Sequence, residues 1–558
     1  MADTARLVYA PLGGAGEIGM NMYLYGYGPA TDRVWVIVDC GIGFGEPDIT
    51  PGVELIVPDV TFAEELGERL LAVIVTHAHE DHVGAVGRLG GKLRAPIYAT
   101  RFTAAIARRK LQEQGVSPKK VREVEFGARE EIGPFSVEFL RVTHSVPEAG
   151  ALALRTPAGI ILHTGDFKLD PDPILGPAAS LEAFEALGRE GVLAMACDST
   201  NVFTPGATGS EGTLRPDIER VIRDCEGAVA ATSFASNVVR LKTLAEAATA
   251  CGRTVCIAGR AMKRMLDAAL ETGVLDSFPA TVSDDQAKDV PDRHLFYLVT
   301  GSQGEHRAAL ARIAAGAHPT VSLSEGDTVI FSARTIPGNE GEIHRLYNRL
   351  SERGVRVVDA DMAHIHVSGH ACRDELRALY DAVKPRIALP MHGEHRHLVE
   401  HAASAKAWGA ASAVVAPNGS LVGLDGNEPG VIGSVESGRV YMDGESFVGA
   451  YDGVIRDRLK LARQGHCVIA LVVDEEGELI ADPEVRILGA PRDPDRPLAD
   501  RIAEAVDDAL ERASKREKRR DETLEQIATR IARKVCVDVW GKKPVTTVLV
   551  IRLEDEEE

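Results

Sequence analysis

What the chain lacks sets its first limits. No apolar run approaches the roughly 18 residues of a membrane span, so no membrane partner is expected. The opening stretch MADTARLVYAPLGG has no basic region leading into an apolar one, which argues against a secretory signal and makes a cytoplasmic address the expectation. Its eight cysteines are scattered without a single C-x-x-C pair, which excludes a disulfide scaffold and a thiolate zinc knuckle and fits reduced, mostly buried thiols. Basic residues are in deficit, 63 against 83 acidic, and a formal charge of −20 argues against a protein that coats nucleic acid nonspecifically, though not against a local basic groove. Aromatics are sparse at 5%, yet 45% hydrophobic and 26% charged residues describe a soluble globular chain.

At 558 residues the chain is too long for one core. Residues 1–220 read as short strands with few helices: RLVYAPLG, MNMYLYGYG, VWVIVDCG, LLAVIVTH, FSVEFLRVTHS, GIILHTGDF and VLAMACDST. GAGEIG (Gly14 to Gly19) satisfies a dinucleotide-binding pattern, but that pattern needs a helix next, and NMYLYGYG alternates like a hairpin strand. A glycine turn is the better account. From 221 to 360 strand and helix alternate four times, from GAVAATS with NVVRLKTLAEAATACG to DTVIFSA with EGEIHRLYNRLSERG, which predicts a parallel sheet with crossover helices, inserted into the first domain. Residues 361–449 bring back strand-like segments rich in histidine and read as the return to that domain. A charged linker is expected over 450–464 and a small α+β domain over 465–558, ending in the acidic tail EDEEE.

The densest chemistry is THAHEDHVGAV, residues 76–86. On an extended strand His77 and His79 would point the same way and reach one cation. Asp81 and His82, at the turn that follows, would reach a second. A single tetrahedral zinc with an open position takes three protein ligands, so the surplus suggests two metals. Each needs partners from elsewhere, and the chain offers His144 in VTHSVPEAG, Asp166 in LHTGDFKLD and His392 in LPMHGEH, all at the ends of apolar strands.

These motifs resemble the metallo-β-lactamase superfamily: Asp39 after an early strand, H-x-H-x-D-H at 77–82, then His144 and Asp166. The interrupting domain and the later DST (Asp198), SGHA (His370) and PMHGE (His392) are similar to its β-CASP nuclease branch. Within it, GGAGEIGMN, SFASN, HIHVSGHA and LPMHGE resemble the bacterial ribonuclease J family, over about residues 5–460. The resemblance implies an αββα sandwich carrying an inserted parallel-sheet β-CASP domain, followed by a small α+β C-terminal domain. It further implies two Zn2+ per subunit, with Mn2+ or Mg2+ as substitutes: His77, His79 and His144 on one, Asp81, His82 and His392 on the other, and Asp166 bridging both. Asp39 would orient a ligand imidazole. His370 is the candidate general acid, with Asp198 as its orienting partner.

The implied activity is 5′→3′ exonuclease, preferring a 5′ monophosphate, and endonuclease cleavage of single-stranded RNA in rRNA and mRNA maturation and decay. The turn Ala235, Ser236, Asn237 and the stretch His366, Val367, Ser368, Gly369, His370 would contact that RNA, although helix capping explains Ser236 or Asn237 equally well. A homodimer or homotetramer is expected, with the C-terminal domain involved. Arg108, Arg109 and Lys119, in a segment with seven basic and three acidic residues, are candidates for a basic channel. Alternatives are a hydrolase of small esters or thioesters, which would need no second wall for a groove, and a β-CASP DNA nuclease, a branch that tends to carry Val where this chain has His392. Cys372, after SGHA, stands where a small polar residue is common.

Overall fold

A computed structural model of the protein describes residues 6–336, 338–426, 428–492 and 495–553, so the acidic tail lies outside the described residues. The chain divides into two compact units, one running to Gly43 and from Ile56 to Arg439, the other comprising Phe44–Leu55 and Val440 onward.

In the first unit two mixed sheets share one core. The eight-stranded sheet runs, edge to edge, through Gly430–Ser434, Ser420–Gly423, Leu7–Gly13, Met22–Tyr27, Val34–Val38, Leu70–Val75, Ile97–Ala99 and Val121–Glu123. Its seven-stranded partner runs from Arg129–Ile132 to Ser412–Ala413 and places Gly159–His163, Val192–Asp198 and Ile387–Met391 side by side in parallel. Tyr9, Tyr25, Ile74, Phe135, Phe139 and Leu389 meet between the sheets. Leu70–Val75 is apolar on both faces because it is a parallel strand flanked on both sides. The chain thus has the metallo-β-lactamase sandwich, and the return segment completes it, as Ile387–Met391 pairs with Val192–Asp198.

The inserted domain is a six-stranded, wholly parallel sheet in the order Thr281–Val282, Thr254–Ala258, Leu295–Val299, Val229–Thr232, Thr328–Phe331, Arg356–Val358. Its central strands are apolar and buried throughout, as crossover helices on both faces require. Of the expected helices, the third is short, Ala309–Ala314, while Val238–Ala250, Arg260–Glu271 and Glu340–Glu352 run 12 or 13 residues. Arg240, on the first of these, is wholly buried. Its guanidinium donates to both carboxylate oxygens of Glu211, at 3.0 and 2.7 Å, on the way into the insert. It also donates to the carbonyls of Ser332 and Ile365 and to His366 Nδ1 on the way out.

In the second unit His466–Val473 pairs antiparallel with Glu484–Leu488 and parallel with Val545–Arg552. Helices Leu498–Glu511 and Asp521–Trp540 cover one sheet face, while Leu488, Leu549 and Ile551 are exposed on the other. The segment expected as a linker holds a helix, Val454–Gln464, none of whose residues is buried. Between the two long helices, the charged stretch SKREKRRDE, residues 514–522, would be expected to be solvated; it forms a helical turn capped by Ser514, and Lys518 is buried against Glu478.

Candidate metal centre

The H-x-H-x-D-H cluster does not lie on a strand. Leu70–Val75 stops short of it; His77 lies in the loop, His79 begins the helical turn Glu80–Val83, and that turn carries Asp81 and His82. The expectation of an extended strand is corrected accordingly, and loop geometry, not alternation, aims the imidazoles. The turn is laced to the early chain: Asn21 N–H donates to the Asp81 carbonyl, Cys40 N–H to that of His82 and Ile42 N–H to that of Glu80. A Cβ at Gly41 would come within 1.7 Å of the Asp81 carbonyl oxygen, so only glycine fits. Gly14, in the glycine-rich turn, is equally forced: φ is +80° and a Cβ would lie 2.2 Å from Asn21 Oδ1 and Tyr23 OH. The second acid, Glu80, turns away to accept from Lys110 Nζ at 2.7 Å.

The remaining ligand atoms converge. His77, His79, His144 and Asp166 form one group, and Asp81, His82, Asp166 and His392 another; within each group the candidate donor atoms lie within 4.8 Å of one another. Asp166 Oδ2 belongs to both, 3.6 Å from His77 Nε2, 3.7 Å from His144 Nε2, 3.1 Å from His82 Nε2 and 3.7 Å from His392 Nε2.

The hydrogen bonds behind the cluster fix its tautomers. Asp39 accepts from Thr76 N–H at 2.8 Å, from the Thr76 hydroxyl and from His82 Nδ1 at 2.7 Å. With its proton on Asp39, the Thr76 hydroxyl accepts from His77 Nδ1 at 2.9 Å. His144 Nδ1 donates to the Gly369 carbonyl at 2.6 Å. Lone pairs on His77 Nε2 and His144 Nε2 therefore face His79 Nδ1 at 3.2 and 3.0 Å. Three nitrogens cannot satisfy one another this way, whereas one cation can satisfy all three. Asp166 Oδ1, buried, has no hydrogen-bond partner either. Burial opposes charge on His392, yet the Asp166, Asp81 and Asp198 carboxylates outweigh it and push the imidazole up to about 9. The site's field calls for positive charge. Largely buried imidazole and carboxylate donors in overlapping sets fit a binuclear metal site, and Asp166, Asp198, His370 and His392 form a third such set.

Beside it, His370 Nδ1 donates to Asp198 Oδ2 at 2.8 Å. The Thr200 hydroxyl donates to Asp198 Oδ1 and accepts from His392 Nδ1, each at 2.7 Å. Asp39 and His392 both adopt positive φ, +64° and +52°, the kind of local strain that functional sites hold.

Other expected contact residues divide. Ser368 Oγ accepts from His370 N–H and Asn201 Nδ2, which shapes the turn carrying His370; Val367 is buried; and a Cβ at Gly369 would come within 2.7 Å of the His144 ring. His366 Nε2 is buried without a hydrogen-bond partner. Asn237 Oδ1 caps helix Val238–Ala250 by accepting from Arg240 N–H, while Ala235 and Ser236 form the half-buried turn before it. Cys372 caps helix Arg373–Val383, its thiol buried beside the Thr208 hydroxyl. Of the three proposed channel residues, Arg108 pairs with Glu123, Lys119 is exposed and Arg109 lines a cavity.

Comparison with known proteins bears on the whole chain. Residues 16–222 match the metallo-beta-lactamase superfamily, 226–350 the ribonuclease J beta-CASP domain, 354–415 a Zn-dependent metallo-hydrolase RNA specificity domain, and 453–553 the ribonuclease J C-terminal domain. Ribonuclease J of Sinorhizobium meliloti is 41% identical over 557 residues, covering 99% of this chain and 98% of its own. The chain belongs to the ribonuclease J family. Ribonuclease J of Mycolicibacterium smegmatis is 40% identical over 83% of this chain and 82% of its own, and that of Thermus thermophilus 36% over 84% and 82%. Membership in the ribonuclease J family makes the chain a metal-dependent nuclease hydrolase with a β-CASP insert.

Sequence reasoning missed the supporting residues of this ribonuclease J fold: Thr76 and Thr200, which relay carboxylates to imidazoles of the candidate centre, Asn21, and the Arg240–Glu211 pair. Thr76 and Thr200 stand next to motif residues, and that adjacency was the available signal. Arg240 gave none, since a helical arginine normally reads as solvated.

Proposed function

We propose that the chain is a zinc-dependent ribonuclease acting on single-stranded RNA, with 5′→3′ exonuclease activity that prefers a 5′ monophosphate and with endonuclease activity, serving rRNA and mRNA maturation and decay in the cytoplasm. The carrying observation is the placement of Asp166 Oδ2 within 3.7 Å of imidazole nitrogens from both ligand groups, with the Asp198–His370 pair alongside. His77, His79 and His144 would hold one ion, Asp81, His82 and His392 the other, with Asp166 shared. Imidazole and carboxylate donors suit zinc, a borderline-soft cation, better than magnesium; Mn2+ and Mg2+ are the substitutes to try. When bound, such a pair supplies a nucleophile at neutral pH and neutralises charge gathering on a phosphodiester during in-line displacement.

The chain's own residues do the rest. Asp39, through Thr76 and directly, holds His77 and His82 in the tautomers that present Nε2. Asp198 fixes His370 through Nδ1, leaving Nε2 to carry a proton to the departing 3′ oxygen. The strand turn at Ala235–Asn237 and the His366–His370 stretch supply the wall along which RNA would lie. All eight cysteines are free thiols, in keeping with a reducing compartment. The exposed apolar sheet face with Leu488, Leu549 and Ile551 supports a homodimer or homotetramer through the C-terminal domain; Leu549→Asp with Ile551→Asp should lower the mass in light scattering.

End-labelled RNA bearing a 5′ monophosphate, triphosphate or hydroxyl tests the reading. Mononucleotide release confined to the first is expected. Equal turnover of all three would leave an endonuclease, and no turnover with zinc restored would end the proposal.

A further inference from the structure

The first unit contains a second place built for anions, apart from the residues of the metal centre. A cavity of about 1180 Å³ lies where helix Arg101–Glu113 of the sandwich meets the inserted domain. Its inserted-domain wall is the carboxyl end of the parallel sheet: Ala258 ends one strand, Thr300 follows the next, and Gly259 leads into helix Arg260–Glu271. Open α/β sheets bind ligands at that end, and the free amides of a helix start favour phosphate.

The lining is cationic: Arg109, Arg260, Lys263, Arg264, Arg307 and Arg312 against Glu113 and Asp284. In a chain of formal charge −20 such an excess is a local exception. Arg109 pairs with Glu271, Arg264 with Glu113, and Lys263 lies 3.6 Å from Asp284. Among the described residues Arg260 and Arg312 have no carboxylate within ion-pairing distance, and both are exposed.

Two features separate a polymer from a small nucleotide. The volume exceeds the few hundred to ~1,000 Å³ of a small-molecule pocket. No Phe, Tyr or Trp lines it, and with His318 as its one aromatic ring against six arginines and lysines the lining suits phosphates better than a base. The cavity also shares a sheet edge with the Arg240 clasp. Strand Thr328–Phe331, followed by Ser332 at the Arg240 clasp, and strand Val229–Thr232 lie beside Leu295–Val299 and Thr254–Ala258, whose ends form the cavity wall. Arg240 in turn donates to His366 Nδ1, in the stretch proposed to face RNA.

We infer that this cavity grips internucleotide phosphates of the RNA away from the scissile bond, without reading sequence, so that long strands are favoured over short ones. The inference rests on the ribonuclease reading and deepens it.

The test uses the full chain and the double variant Arg260→Gln/Arg312→Gln, with Arg260→Lys/Arg312→Lys as the charge-conserving control. With metal chelated, affinity for a strand of several tens of nucleotides should fall about tenfold in the Gln variant, and the slope of log affinity against log salt should become shallower by about 1.4, or 0.7 for each phosphate no longer neutralised. The Lys control should recover most of the affinity. With metal restored, the ratio of kcat/KM for long over few-nucleotide RNA should fall about tenfold. An unchanged slope, or equal loss on long and short RNA, would overturn the inference. So would adenosine triphosphate that binds wild type but not the Gln variant while long RNA binds both alike, which would assign the cavity to a free nucleotide. Wild-type protein that binds RNA with the stated salt slope but never cleaves it would defeat the ribonuclease reading and leave the cavity assignment standing.

Discussion

The Thr200 hydroxyl stands 2.7 Å from His392 Nδ1, and its other bond goes to Asp198, the carboxylate that also holds His370. One carboxylate thereby sets both a proposed metal ligand and the proposed acid. Thr76 does the same between Asp39 and His77 on the other side.

Removing either relay frees a ring to take the wrong tautomer. Thr200→Val and Thr76→Val should each weaken metal affinity about 10–100-fold, as loss of such supporting bonds does, with Thr200→Ser close to wild type. Competition against a chromogenic chelator measures this. Wild-type affinity in both valine variants would refute the relay.

His370→Ala should lower kcat on RNA by about 10²–10⁴, the usual worth of a positioned proton donor, while elemental analysis finds the metal content of wild type. Full metal with undiminished cleavage would remove His370 from the reaction. Loss of metal would make it a ligand instead, which its proximity to Asp166, Asp198 and His392 permits.

Arg240→Met leaves the Glu211 carboxylate buried and alone. Breaking a buried pair from one side costs about 3–5 kcal/mol, so the variant should unfold at distinctly lower denaturant, while Arg240→Met/Glu211→Gln should regain part of the loss. If both variants unfold with the wild type, the clasp contributes nothing to stability.

His401, buried between Ser199 Oγ and Tyr380 OH, is lowered by burial from 6.5 to about 4. The unfolded chain therefore binds a proton over this window that the folded one refuses. Stability should be fully present above pH 6.5 and decline as pH falls toward 4, by about 1.4 kcal/mol per pH unit from this residue. His401→Gln should flatten that part of the profile in urea unfolding. An identical slope would show that His401 titrates normally.

Much of the architecture was legible because its signals are local. Strand-length apolar runs ending in histidine or aspartate marked the sandwich, and strand–helix alternation marked the insert. His144, Asp166 and His392 were legible as candidate partners from their place at the ends of apolar strands, but their division between two groups was legible only through resemblance, since nothing in spacing reveals which distant residues meet. The strand reading of His77 and His79 failed because the apolar run stops at Val75 and the Asp39 carboxylate, not β pairing, receives the Thr76 amide. Arg108 pairs with Glu123 on the next strand, a partner that spacing along the helix could not reveal. Arg240 was illegible: its burial depends on two chain crossings that the helix itself does not encode.

His370 and His392 both lie in the return segment, after the insert has been threaded out and back. A ribosome that has just finished the insert holds a chain with part of its proposed ligand set and without its proposed proton donor. On the proposed assignment, then, the two groups that complete the centre are the last of it to be made.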